Sequence, residues 1–430
     1  MSARVVRGRI LSFRGDPAEG GPAHAYIEDG AVLIADGRID AVGEARDILA
    51  KAPQGAPVDD HSGRLVMAGF IDAHIHYPQT RVIGSYGAQL LDWLHNYTFV
   101  EEQRFADPAH CAAVAEFFLE ELIRCGTTTA LVYCTVHPQS VEAFFAAAER
   151  RDMRMIAGKV MMDRDAPEKL TDTAERGYDE SKALIARWRG RGRLAYAITP
   201  RFAVTSTEAQ LEAAGALSKE HPETYVQTHL DENEAEIALV AERFPGSKSY
   251  LDVYDRAGLL GPRSVFGHCI HLKESEVARM AETGSVAAFC PTSNLFLGSG
   301  LFDQARLRAA GVRIALATDV GGGTSYSMLA TAAEGYKALQ LNRQSWPALH
   351  AFYRMTLGNA RALSLDDKIG SVEPGKEADL VVLDSRATPA MAHRMDSAKG
   401  NLEVELFALI MMGDDRAVRQ TYVAGEPRKA

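Results

Sequence analysis

Between about Met67 and Leu365 the chain alternates short apolar runs with stretches of helical spacing, and the alternation repeats eight times. Parallel strands need a crossover to return the chain to the same edge, and a helix is the usual crossover. Eight strand–helix units are the number that closes a (β/α)₈ barrel. The runs lie at Val66–Ala73, Gly126–Tyr133, Met153–Met162, Leu194–Pro200, Tyr225–His229, Val265–His268, Ser285–Pro291 and Val312–Thr318. Helical spacing is clearest at Ala109–Arg124, Val141–Arg150, Glu180–Arg189 and Glu208–Glu220.

The two ends read differently. From about Val5 to Val58, apolar alternation is broken at Asp29–Gly30 and Asp36–Gly37, a strong hairpin signal. Lys368–Asp384 has a Pro-Gly turn and an apolar strand, Leu402–Met412 reads as a helix, and Arg419–Val423 as a last strand. The expectation is a small β-sandwich built from residues 1–66 and 368–430, with the barrel inserted as residues 67–367. A length of 430 residues fits one large domain plus a smaller one.

The net charge of −10 disfavours nucleic acid or an anionic membrane as partner and is compatible with a small uncharged substrate. The five cysteines, Cys111, Cys125, Cys134, Cys269 and Cys290, form no C-x-x-C pair, so reduced thiols in a cytoplasmic setting are expected. The opening segment is too polar for a signal peptide, and no apolar run is long enough to span a bilayer.

Catalytic residues of such barrels sit at the C-terminal ends of the strands. Here the first strand ends in His74 and His76, the fifth in His229, the sixth in His268 and the eighth in Asp319. Side chains at i and i+2 of an extended chain point the same way, so His74 and His76 can share one ion. One such pair could be chance, and a lone His268 could be a core histidine. Four strand ends converging on one mouth point to a divalent metal site. Three imidazoles and a carboxylate without thiolate suit one Zn²⁺, with Fe²⁺ the second choice. A zinc-bound water has its pKa lowered to about 7.

Glu232 lies three residues beyond His229 and is the candidate proton shuttle, with Asp231, Glu234 and Glu236 as alternatives. Asp319 can act both as ligand and as acceptor from the attacking water. Two roles are open to His268, completing the metal shell or polarising the water, and the second is preferred. His271 is read as structural.

The stretches FIDAHIH, HIHYPQT, LLDWL, NYTFVEE, TPRF, THLDEN, GHCIHL, CPTSNLFLGSG, ATDVGGGTSYSML and SVEPGKEADLVVLD together resemble the amidohydrolase superfamily, and within it the guanine deaminases. The resemblance implies zinc ligands at His74, His76, His229 and Asp319, and a catalytic acid/base at Glu232. It further implies substrate contacts at Gln79, Arg201, Phe202, His229, Glu232 and His268, with guanine as substrate, and a homodimer. Binuclear relatives carry a carbamylated lysine. The fourth strand ends Thr199-Pro200-Arg201 without one, so a single metal is implied and Lys159 in the third strand is the position to check.

A donor-only Arg201 suits the O6 and N7 acceptors of guanine, whereas adenine presents an amino group at position 6. The bland alternative for Arg201 is a loop salt bridge, and for Trp93 core packing. Other readings are an aminohydrolase acting on S-adenosylhomocysteine or adenosine, on pyrimidines or on triazines, or a metal-free binding protein on the same barrel.

Overall fold

In a computed structural model that describes residues 3–87 and 89–429, the strands divide into two sheets. The first joins β1 (Ala3–Phe13), β2 (His24–Ala35), β3 (Arg38–Glu44) and β4 (Val58–Ala68) from one end of the chain. To these it adds β14 (Leu380–Leu383), β15 (Val418–Val423) and β16 (Glu426–Pro427) from the other, in the continuous order β16-β15-β14-β4-β1-β2-β3. The join is β4, which runs parallel to β1 and antiparallel to β14. Apolar clusters cover its two faces, one around Val6, Val32, Val66 and Val382, the other around Val5, Leu33 and Ile48.

The second is a nearly closed parallel barrel of eight strands. Its order is β5 (Phe70–His76), β6 (Thr127–Tyr133), β7 (Arg154–Gly158), β9 (Ala195–Pro200), β10 (Tyr225–Leu230), β11 (Ser264–His268), β12 (Val286–Phe289) and β13 (Arg313–Leu316). Helices Pro108–Arg124, Pro138–Arg150, Ala174–Trp188 and Glu208–Glu220 fall where helical spacing was read. Each is held at its start by Pro in the first turn, by a capping side chain (Asp107, Thr173 or Thr207), or by both.

Between β13 and β5 side chains make the closure. Asn359 donates to the carbonyls of Ile71 and Leu316, each at 2.7 Å, and accepts from Leu316 N–H at 2.8 Å. Above it, Asp319 N–H donates to His74 O at 2.9 Å and His76 N–H to Val320 O at 2.8 Å. The two metal-type strand ends are thus sewn together by backbone.

The third strand departs from its expected single run. Gly158 lies so close to the next strand that a Cβ there would come within 1.7 Å of Ala197 O. The strand stops at this pinch and resumes as β8 (Val160–Met161), which pairs with Thr199 and Pro200. Lys159, at the break, pairs with Asp172 and lies 3.5 Å from Glu180.

The sheets are tied by buried ion pairs. Arg154 makes a two-armed contact with Glu377, one arm at 2.8 Å, and Arg193 does the same with Asp379, one arm at 2.9 Å. Burial works to raise Glu377, but the hydrogen bond to Arg154 and the charges of Arg193 and Arg154 hold it below the ordinary glutamate value. A depressed carboxylate stabilises the fold above the unfolded value, and that contribution is lost as pH falls through the folded one. Arg154→Met should therefore cost about 3–5 kcal/mol near neutral pH. The gap to wild type should narrow in acid, as urea unfolding across a pH series would measure.

Candidate active site

The barrel mouth gathers the strand-end residues into one buried cup. His74 Nε2 lies 3.3 Å from His76 Nε2, and His76 Nε2 lies 3.3 Å from His229 Nε2. Asp319 Oδ1 is 3.3 Å from both His74 Nε2 and His76 Nε2. Atoms about 3.3 Å apart at the corners of a tetrahedron lie about 2.0 Å from its centre, the distance at which imidazole and carboxylate bind Zn²⁺. Neutral nitrogens at such separations otherwise crowd their lone pairs together. The donor set fits a divalent cation.

Electrostatics prepare it. His229 Nδ1–H donates to the carbonyl of Arg201 at 2.7 Å, which fixes the tautomer with the Nε2 lone pair facing the cup. Burial, reinforced by the neighbouring histidines and Arg201, pushes His229 well below its ordinary value. Burial brings His76 down to about 3. Asp319 is pulled the other way: burial opposes ionisation, but hydrogen bonding to His74 and His76 outweighs it and holds the carboxyl well down. Cys290 also lies near His74, His268 and Asp319, but burial pushes its thiol well up, unlike a thiolate ligand.

Beneath the cup, Asp72 accepts from Thr318 N–H at 3.1 Å and His74 N–H at 3.2 Å, linking the strands that carry the donors. The ring of Tyr133 stacks on His76 at 4.3 Å. On the far side, Tyr254 OH donates to His229 O at 2.9 Å while accepting from Ala203 N–H at 2.9 Å and Thr228 Oγ1 at 3.1 Å. His268, Asp319 and Asp231 all have positive φ, at 70°, 52° and 49°. Three non-glycine residues in that sparsely populated region at one mouth mark a backbone bent to aim side chains.

Glu232 faces the cup. Its Oε2 is 3.2 Å from His268 Nε2, and its Oε1 accepts from Ser299 Oγ at 3.0 Å. Burial and the Asp319 charge push it up to about 8. His268 Nδ1 lies 2.9 Å from Asn294 Oδ1 and donates to it, and its Nε2 is 3.7 Å from Asp319 Oδ2. None of the alternatives to Glu232 lines the cavity. Glu236 accepts from Glu232 N–H, Asn233 N–H and Tyr250 OH, as part of a helix cap. Burial and the Glu276 and Glu236 charges push Asp231 up to about 9, and Glu234 is exposed. His271 Nε2 donates to Ser299 O at 2.8 Å, a structural contact.

The cavity over the cup is lined by His76, Gln79, Arg201, Phe202, His229, Glu232, His268 and Asp319, with an apolar wall of Leu90, Trp93 and Leu94. Trp93 is therefore both core and cavity wall. Arg201 is in a salt bridge, as the bland reading had it, yet a buried one: Nη1 meets both Glu102 oxygens at 2.9 Å. The same carboxylate accepts from Gln79 Nε2 at 3.0 Å. Glu102, Ser299, Asn294, Asp72 and Tyr254 are site residues that sequence reasoning left without a role. The first four lie inside quoted stretches, which was the available signal, and Tyr254 lies outside them.

The amidohydrolase family pattern matches residues 65–428. The chain belongs to the amidohydrolase family. Within it the chain groups with the guanine deaminases: it is 48% identical to the guanine deaminase of Escherichia coli over 98% of this chain and 97% of that protein. The solved structure of E. coli guanine deaminase superposes with a TM-score of 0.97 over 99% of both chains, at 48% identity. The guanine deaminase of C. acetobutylicum, solved with guanine in the active site, superposes at 0.88 over 99% of both, at 26% identity. Amidohydrolase barrels present their chemistry at the mouth. That is where this chain gathers His74, His76, His229 and Asp319.

Proposed function

We propose that the protein hydrolyses guanine to xanthine and ammonia. The observation that carries this reading is that a donor-rich wall, Arg201 with Gln79, and a raised carboxyl, Glu232, share one cavity with the His/Asp cup. The cup, His74, His76, His229 and Asp319, would hold one Zn²⁺, with Fe²⁺ the second choice. When bound, that ion supplies Lewis acidity that makes water a nucleophile near neutral pH.

The chain's own residues do the rest. Arg201 and Gln79 donate to the purine edge, and Phe202 packs on the ring. Glu232 takes a proton from the attacking water and delivers it to N3 as the oxygen bonds to C2. His268 and Asp319 hold that oxygen in line. Glu232 then moves the proton of the new hydroxyl to the 2-amino group, the C2–N bond breaks, ammonia leaves and xanthine keeps its proton on N3. Proton transfer by a placed side chain is worth roughly 10²–10⁴-fold.

Metal-loaded protein given guanine should release ammonia with the absorbance change from guanine to xanthine, and no ammonia would overturn the reading. Chelation should abolish turnover, and added Zn²⁺ should restore it, with elemental analysis identifying the native ion.

The same reading places the chemistry in residues 67–367, with 1–66 and 368–430 as the supporting β-rich body. It includes a homodimer, a cytoplasmic location and a role in purine catabolism. Net charge of −10 supports the absence of nucleic-acid or membrane partners. Among the described residues no helix is long and apolar enough to cross a membrane. Light scattering and cell fractionation test the assembly and the location.

A further inference from the structure

We propose that Glu102 is a positioning residue that decides which purine edge the cavity accepts, an inference that rests on the guanine deaminase reading above. Glu102 ends the short helix Phe99–Glu102, is completely buried, and does not line the cavity. Both its oxygens accept from Arg201 Nη1 at 2.9 Å, and Oε1 also accepts from Gln79 Nε2 at 3.0 Å. The guanidinium lies over the Phe99 ring at 5.4 Å, so one helical turn holds it by charge and by π-face.

The consequence for Gln79 is a fixed amide. Its Oε1 accepts from Gly321 N–H at 3.1 Å while its Nε2 faces an acceptor-only carboxylate. Flipping the amide would set oxygen against oxygen and N–H against N–H. The remaining Gln79 N–H and the Nε and Nη2 groups of Arg201, which have no protein acceptor among the described residues, are then the polar atoms of this wall left to meet a ligand. A donor-only wall accepts O6 and N7 of a 6-oxopurine and leaves the amino group of a 6-aminopurine facing other donors. A carboxylate imposes this polarity because it cannot donate. A carboxamide at position 102 can turn and donate, which removes one of the two holds on the Gln79 amide. Gln79 can then offer its oxygen to a 6-amino group at the cost of the bond from Gly321 N–H alone.

The test compares guanine with 2,6-diaminopurine, which keeps the 2-amino leaving group and carries a donor at position 6. Its deamination at C2 gives isoguanine and ammonia. In Glu102→Gln the ratio of kcat/KM for guanine over 2,6-diaminopurine should fall about tenfold or more. KM for guanine should rise more than kcat falls, and metal content should not change. Direct binding of hypoxanthine against adenine, which lack the leaving group, reads the same preference without turnover and should narrow in parallel. Should Glu102→Gln fail to fold, Glu102→Asp keeps the charge but is too short to span both partners, and its ratio should fall as well. Equal losses on both purines, leaving the ratio at the wild-type value, would overturn the proposal by reducing Glu102 to a structural anchor. Wild-type protein that releases no ammonia from guanine would instead bring down the underlying function, a distinct result.

Discussion

Glu232→Gln should lower kcat for guanine by roughly 10²–10⁴-fold while the bound metal stays. The substitution keeps the side chain's shape, and its amide oxygen can still accept from Ser299 Oγ, which lies 3.0 Å from Glu232 Oε1. The four cup donors do not include it. Substrate affinity should change little, because the purine edge is met by Arg201 and Gln79. The basic form of Glu232 is needed to take the first proton, so the rate falls as pH drops through its pKa, and that acid limb should vanish in the variant. Steady-state kinetics with metal analysis across pH would check this. A variant with wild-type kcat would move the proton shuttle to another residue.

Arg201→Ala should reduce kcat/KM for guanine by roughly 10³-fold or more, since the polar purine edge would lose the guanidinium donors and keep only Gln79 in a dry site. It should also destabilise the fold, because Glu102 is left buried with Gln79 as its remaining side-chain donor. An uncompensated buried charge costs about 3–5 kcal/mol. Metal content should survive, because His229 is oriented by the main-chain carbonyl of residue 201, not by the side chain. Adding Glu102→Gln to Arg201→Ala should recover part of the lost stability and none of the activity. Denaturant unfolding, elemental analysis and guanine kinetics on the single and double variants separate these effects.

The cup was legible because its residues obey local rules. His74 and His76 sit two apart at the end of an apolar run, and His229, His268 and Asp319 each close or follow a strand. A parallel barrel must bring such ends to one face. Glu102 was not legible. Its neighbour Glu101 has the same chemistry and turns toward Arg104 and His110, 3.1 and 3.3 Å away. Which of two adjacent helical glutamates points inward depends on packing against Arg201, 99 residues along the chain. The break at Gly158 was hidden for a similar reason, since it answers to the approach of Ala197 on another strand. Of the two hairpin turns expected near the start of the chain, Asp36–Gly37 does join β2 to β3. Asp29–Gly30 instead lies inside β2, where a register shift against β1 between Gly8 and Ile10 absorbs it as an irregularity and not a turn. The pairing of β4 with both β1 and β14 lies outside any local pattern.

Arg201 serves the pocket twice, its carbonyl aiming His229 and its guanidinium facing the purine cavity, while Tyr254 pins Ala203 and Thr228 on either side. Binding at one half of the mouth is therefore expected to steady the other. By thermodynamic reciprocity, whatever factor the cation adds to purine affinity, the purine must return to cation affinity. An enzyme of this build should surrender its ion most readily when idle and guard it best while saturated with substrate.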